Sequence, residues 1–538
     1  MLSSSSSHVP RPIKRQIFSN ERQYQILNSP VSINSSVRSE KTPRNGRSDK
    51  IVSPSVVILK QSKLHTVSSQ KSTWLTKKCL VRSLVIACAL AIIATVVTIA
   101  VIFTRPHGSD NATTSTSYNV TSAYWSFDNT TQDLYGVYNG VLINGATYYT
   151  SPASTNAATP YFGVGASLYL QSSLNQSVLI NSTFFNFSYT SWTVEAWIYP
   201  TAVGGDDDIL GQCESSVGTN LCLYLILRGS RMFMGFSPNY LSGTTVLSSN
   251  VWHHLAYVYN YQTQQQILYL DGVQDAIQSN VSPYQGQNGS ITIGTSAILS
   301  SSSFFNGYID NVALTTRAKS ATEILADGTL SFYFSFDNPT PSLDNGPNGL
   351  NCTISNGATV SGRVNQAIRL NGASSYVQLY GFYQWGFISA KPFSVAMWIN
   401  PISTYGGTLL HFSSTSTGSS CLSLMGITLG GQIIVQAYYS NNPSIVGPQL
   451  STNTWTHIGY TYSTTNGMIL YYNGAAYLTL AVSSFYNNGY IDYLNFGSNL
   501  GCCGCANVPN YAFQGSLDEL YVYRREISAS EMLALANP

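Results

Sequence analysis

The sequence predicts an all-β body of two tandem antiparallel β-sandwiches, set behind one transmembrane helix and a disordered N-terminal tail. Three observations carry this. Residues 83–104 form an uncharged apolar run without Gly or Pro. The charges divide about that run into a basic part and an acidic part. Beyond it, five short aromatic motifs recur in the same order, at offsets of 201 to 209 residues.

Residues 1–82 are rich in Ser, Lys and Arg and show no sustained apolar period. They hold 15 of the 25 Lys and Arg against three acids, Glu21, Glu40 and Asp49. Such a segment cannot offset chain entropy by burial, so it is expected to be disordered. The run 83–104 would reach about 33 Å as a helix, enough for a bilayer core, with every backbone group satisfied internally. Lys77, Lys78 and Arg82 abut its N-terminal end. Positive-inside bias then puts the tail in the cytoplasm. The expectation is a single-pass type II membrane protein with its C-terminal ectodomain extracellular or lumenal, behind a stalk at 105–117.

The part beyond the run carries 10 Lys and Arg against 20 acids. Asn-x-Ser/Thr triplets occur there at Asn111, Asn119, Asn129, Asn175, Asn181, Asn186, Asn280, Asn288 and Asn351. In a lumenal segment these are glycosylation acceptors.

Internal repetition sets the domain plan. Tyr124-Trp-Ser-Phe-Asp-Asn129 returns as Tyr333-Phe-Ser-Phe-Asp-Asn338, and the Trp192–Pro200 run returns as Phe393–Pro401. Trp252-His-His254 answers to Trp455-Thr-His457, Leu268–Gly272 to Leu470–Gly474, and Phe305–Asp310 to Phe513–Asp518. Trp192, Val194, Ala196 and Ile198 share one face of a period-two strand, as do Phe393, Val395, Met397 and Ile399. Asp271-Gly272 and Asn473-Gly474 are hairpin dipeptides. A short helix is expected to close each unit, at 320–325 and 528–535. Ser320/Glu323 and Ser528/Glu531 have capping-box spacing.

The ordered set Trp-x-Phe-Asp, aromatic-x-Val-x-x-Trp-Ile-x-Pro, Trp-x-His, Tyr-x-Asp/Asn-Gly and Gly-x-Ile/Leu-Asp resembles the laminin-G-like jelly-roll family of the concanavalin A-like lectin/glucanase superfamily. The likeness spans residues 118–327 and 330–538. It implies two jelly rolls that bind carbohydrate or protein ligands outside the cell.

Hydrolases on this fold line up carboxylates along one strand face. Here Glu195 stands alone and Ala396 replaces it in the second copy, so binding is expected rather than catalysis. His254 and His457 read as hydrogen-bonded core histidines, and His253 as a surface residue. Asp310 and Asp518 read as acceptors of backbone N–H groups near a turn. The resemblance adds calcium as the alternative for these two, and for Asp206, Asp207 and Asp208 in a Gly-preceded loop. Tyr257, Tyr259, Tyr460 and Tyr462 alternate on strands as either a ligand platform or structural cover. Cys213 and Cys222 flank a turn and are expected to bridge a hairpin in an oxidising compartment. Cys421 has Cys352 or one of Cys502, Cys503 and Cys505 as its possible partners, and an odd total leaves one thiol over. The functional expectation is glycan or glycoconjugate binding and adhesion, or protein–protein adhesion without sugar preference. The membrane is a partner and nucleic acid is not.

Overall fold

The computed structural model describes residues 122–150, 165–181, 184–296, 303–382, 389–486, 488–501 and 506–538. The tail, the apolar run 83–104, the stalk, Asn111, Asn119, Cys502, Cys503 and Cys505 lie outside them. Among the described residues no helix is long and apolar enough to cross a membrane.

The described chain is nearly all β, in four antiparallel sheets that form two sandwiches. One sheet of the first sandwich runs Val273–Gln278, Gln265–Leu270, His253–Asn260, Trp192–Pro200, Gly307–Thr315, Ser167–Leu170 and Thr147–Tyr149. Ser122–Trp125 also pairs with Gly307–Thr315. The facing sheet runs Asn239–Ser242, Arg231–Phe236, Cys222–Arg228, Asp206–Cys213, Ile291–Ile293, Ser177–Ile180 and Val141–Ile143.

The second sandwich repeats this order strand for strand. Its first sheet runs Ala475–Leu480, Gly467–Tyr472, Thr456–Ser463, Phe393–Pro401, Gln514–Tyr523, Gln366–Asn371 and Ala358–Ser361, with Leu330–Phe334 on Gln514–Tyr523. The other runs Ser444–Gln449, Gln432–Gln436, Cys421–Ile427, Gly407–Ser413, Asp492–Phe496, Tyr376–Phe382 and Thr353–Ser355.

Local chemistry explains the junctions. Asp271, Gly272, Asn473 and Gly474 all have positive φ, as a two-residue hairpin turn with both central residues left-handed requires. Both closing helices, α1 (Ala321–Thr329) and α2 (Ala529–Leu535), carry complete capping boxes at Ser320/Glu323 and Ser528/Glu531. The first extends beyond the expected 325. A bulge interrupts the last long strand of each copy, with Asn311 and Glu519 at positive φ. The Tyr124 hydroxyl donates to Asn311 Oδ1, and the Tyr333 hydroxyl donates to Glu519 Oε1 at 3.0 Å, so each bulge is clamped from the first strand of its own copy.

Trp192, Val194, Ala196 and Ile198 face the first core, and Phe393, Val395, Met397 and Ile399 face the second, as the alternation predicts. Trp197 and Trp398 point the other way. The Arg363 guanidinium covers Trp398 at 4.6 Å from the ring centroid. Trp197 is covered from the other sandwich, by Arg524 at 4.4 Å. Beside it, Arg524 N donates to Thr329 O at 2.9 Å and Arg525 Nε donates to Thr329 Oγ1 at 3.1 Å. Helix α1 therefore ends inside the seam between the two copies.

Candidate functional site

The second sandwich opens at one rim into a cleft of about 330 Å³ lined by Phe412, Ser420, Cys421, Tyr438, Asn488 and Tyr490. Phe412 lies next to the end of its strand, and Cys421 starts the following strand directly opposite Ser413. Tyr438 follows Gln432–Gln436, and Asn488 and Tyr490 sit in the loop entering Asp492–Phe496. Phe412 is buried, while Tyr490 is 43% exposed. Tyr438 meets Phe412 and Tyr486 edge-on, at centroid distances of 5.8 Å in each case.

The polar groups are held as firmly as the rings. Asn488 Nδ2 donates to Asp492 Oδ1 at 2.6 Å, and Asn488 Oδ1 accepts from Tyr490 N at 3.0 Å. Asp492 is fully buried, and burial holds its carboxyl well above the usual carboxylate range. None of the six lining residues carries a charge. Aromatic faces beside hydroxyls and a fixed amide suit a ligand with apolar faces and hydroxyl edges.

The same rim of the first sandwich is built differently. Cys213 and Cys222 are bridged directly across paired strands, as expected from their spacing. Gln212 stands where the second copy has Phe412, its amide donating to Phe185 O at 2.9 Å. Gly289 lies so close to the Cys213 backbone that an added Cβ would come within 2.6 Å of Cys213 O.

The residues singled out from the sequence do not converge on one site. Asp206, Asp207 and Asp208 begin a strand rather than occupying a loop. Asp206 is tied to Arg228 by two 2.8 Å hydrogen bonds. Burial raises Asp207 to about 6 and Asp208 to about 7. Among the described residues, no three His, Cys, Asp or Glu side chains gather as a metal-ligating group. Asp518 fulfils the backbone-acceptor role: Oδ2 accepts from Arg363 N and Val364 N at 2.7 and 2.9 Å, and Oδ1 from Glu519 N at 2.9 Å. Its counterpart Asp310 is also buried.

The readings of the histidines need correction, and two open alternatives are decided. Tyr257, Tyr259, Tyr460 and Tyr462 have no exposure and pack in the two cores, so they form no ligand platform. Three of their hydroxyls donate to backbone carbonyls, of Ile226, Val281 and Gln436. His254 and His457 are buried, but no ring nitrogen of His457 has a hydrogen-bond partner. Each instead lies against a tryptophan, Trp197 at 5.0 Å and Trp398 at 5.4 Å. His253 is buried too, its Nδ1 3.1 Å from Asp271 Oδ2. Cys421 is disulfide-bonded while Cys352 is a free, buried thiol, which removes Cys352 from the possible partners of Cys421.

The family described as the concanavalin A-like lectin/glucanases superfamily matches residues 171–325 and 371–532, more than half of the chain. The chain belongs to this superfamily.

Solved structures to which the chain is similar include domain 4 of AbnA, a GH43 extracellular arabinanase of Geobacillus stearothermophilus in complex with arabinotriose. It is 16% identical over 38% of this chain and 97% of its own, with a TM-score of 0.31. Domains LG4-5 of the mouse laminin α1 chain are 12% identical over 65% of this chain and 88% of theirs, at 0.23. The Ruminococcus gnavus IT-sialidase CBM40 is 12% identical over 26% and 83%, also at 0.23. The fold assignment rests on the family match and the strand order rather than on these likenesses. No curated protein matches the chain.

Within this superfamily member, Glu195 has a structural partner. Its carboxylate is buried and engaged by Lys319, whose Nζ also donates to Asp327 Oδ2 at 3.0 Å. His254 Nε2 lies 3.6 Å from the same carboxylate. Burial alone would lower Lys319, but the two carboxylates outweigh it and hold the ammonium above its usual range. Under α2 the equivalent positions are Ala396, Ile527 and Leu535, packed with Tyr471 and Met532. Sequence reasoning passed over Lys319 and Asp327, and over the whole rim cleft. The signal available was the copy-to-copy difference at those positions.

Proposed function

We propose that this chain is a single-pass type II membrane protein whose tandem laminin-G-like domains bind glycans or glycoconjugates outside the cell, as an adhesion or recognition module without catalysis. The observation that carries the reading is the rim cleft, where aromatic rings, hydroxyls and an anchored amide meet without a charge. The membrane placement is supported by the apolar run 83–104 and the charge asymmetry about it. An oxidising compartment fits the Cys213–Cys222 bridge. The seven described acceptor asparagines, Asn129, Asn175, Asn181, Asn186, Asn280, Asn288 and Asn351, are all exposed. Glu195, occupied by Lys319, is not free for acid–base work.

The test is a glycan array probed with the full-length chain, with and without a calcium chelator, together with external proteolysis of intact cells expressing it. Glycan binding and external cleavage beyond residue 104 support the reading. Loss of binding with chelator shows that a divalent cation takes part in it. Recovery of a protein partner without any glycan signal favours protein adhesion instead.

A further inference from the structure

We propose that the second sandwich's rim cleft takes the uncharged pyranose end of a glycan, and that the first sandwich has no counterpart to it. This rests on the glycan reading above and adds the ligand's charge class and its address. The lining offers Tyr438 and Tyr490, backed by the buried Phe412, for the apolar face of a ring, and the Ser420 and tyrosine hydroxyls for its edge. Asn488 has one amide hydrogen committed to Asp492 and its oxygen committed to Tyr490 N, leaving one N–H to donate.

A carboxylate or sulfate would need a cationic partner, and among the described residues none lines the cleft. The segment beyond residue 104 is net acidic, which repels anionic glycans at longer range as well. At about 330 Å³ the cleft lies at the small end of ligand pockets, which suits a chain end rather than a chain interior.

The first copy departs at its corresponding strand ends. Its rim has the Cys213–Cys222 bridge, Gln212 in place of Phe412, and Gly289 against the Cys213 backbone. Six of the seven described acceptor asparagines lie on that copy, Asn288 next to Gly289 itself, and the sequence has none after Asn351. Attached sugar would therefore crowd the first copy's rim and leave the second copy's accessible.

The experiment applies the full-length chain to an array of galactose-, glucose-, mannose- and N-acetylglucosamine-terminated oligosaccharides and their sialylated and sulfated counterparts. Wild type is compared with Tyr490→Ala, Asn488→Ala, Tyr490→Phe and, just before the opposite end of the strand that carries Phe412, Tyr405→Ala. Thermal melting checks folding. The expected result is binding to a neutral-ended set, weakened about tenfold or more by Tyr490→Ala and Asn488→Ala. Tyr490→Phe keeps the ring but loses one edge hydroxyl, so its binding should fall between wild type and Tyr490→Ala, while Tyr405→Ala should stay within about threefold of wild type. Binding confined to sialylated or sulfated glycans overturns the proposal but leaves glycan recognition standing. So does neutral binding indifferent to both cleft variants. An array silent for every sugar removes the glycan reading itself.

Discussion

The Arg524 guanidinium lies over the Trp197 ring at 4.4 Å, one residue from each sandwich. Trp197 is buried and Arg524 half-buried, and the adjoining backbone bond to Thr329 O fixes the arginine's strand end to the end of α1. A desolvated cation–π pair contributes about 2 kcal/mol. Arg524→Ala is expected to reduce stability by roughly that amount or more and to uncouple the copies. Calorimetry should show one unfolding transition in wild type and two separated ones in the variant. A single transition at an unchanged temperature would mean the pair does not hold the seam.

Lys319 sits between Glu195 and Asp327 under α1, where the second copy is apolar. Removing one partner of a buried pair leaves the other charge stranded, at a cost of about 3–5 kcal/mol. Lys319→Ala should therefore be strongly destabilising in chemical denaturation. The triple change Glu195→Ala, Lys319→Ile and Asp327→Leu, which installs the second copy's residues, should be neutral or stabilising by about 1–4 kcal/mol. If the triple variant is less stable than Lys319→Ala, the two seats are not interchangeable.

His457 is buried without a hydrogen-bond partner, and desolvation lowers its imidazole to about 4 from an ordinary 6.5. Between those values the unfolded chain binds the extra proton. His457 thus leaves stability intact above about pH 6.5 and removes up to about 3 kcal/mol as pH falls to 4. His254, lowered to about 4, acts in the same direction. Asp327, raised by burial to about 6, acts oppositely, since its contribution is present at low pH and is lost as pH rises through 6. His457→Leu should flatten the acid side of the stability profile, measured as denaturation midpoints at pH 7 and pH 4.5. An unchanged pH dependence would show that His457 takes up its proton as readily in the fold as in the unfolded chain.

Ser320 and Ser528 cap α1 and α2 in the same way, each accepting from the backbone N–H of a glutamate three residues on. The two glutamates are held at about 2 by Arg317 and Arg525. Ser320→Ala and Ser528→Ala should each cost about 1 kcal/mol. A larger loss at Ser320, read by denaturation of the full-length chain, is expected if capping of α1 also supports the seam at Thr329.

Much of the architecture was readable because its signals are local. The Trp192 and Phe393 runs, the two hairpin dipeptides and the two capping boxes each lie within a few consecutive residues and appear twice. The Cys213–Cys222 bridge was readable for the same reason. The cleft was not, because it joins residues near 412, 421, 438 and 488 that meet only when four strand ends reach one rim. The tyrosines misled because His253–Asn260 and Thr456–Ser463 are central strands buried on both faces, so alternation does not separate core from surface. Asp206–Asp208 reads as loop because Asp is poor in strands, yet pairing with Cys222–Arg228 overrides that preference.

The unlike seats beneath α1 and α2 bear on how a duplicated chain avoids pairing with itself wrongly. Tandem copies of similar sequence are prone to exchange elements while both are still assembling. Docked on the wrong sheet, α1 would set the Lys319–Asp327 pair against apolar Ala396 without the Glu195 carboxylate, and α2 would leave Glu195 facing Ile527 and Leu535 with no cation. Either misassembly strands ionised groups in an apolar environment, so each helix is accepted only by the copy that precedes it.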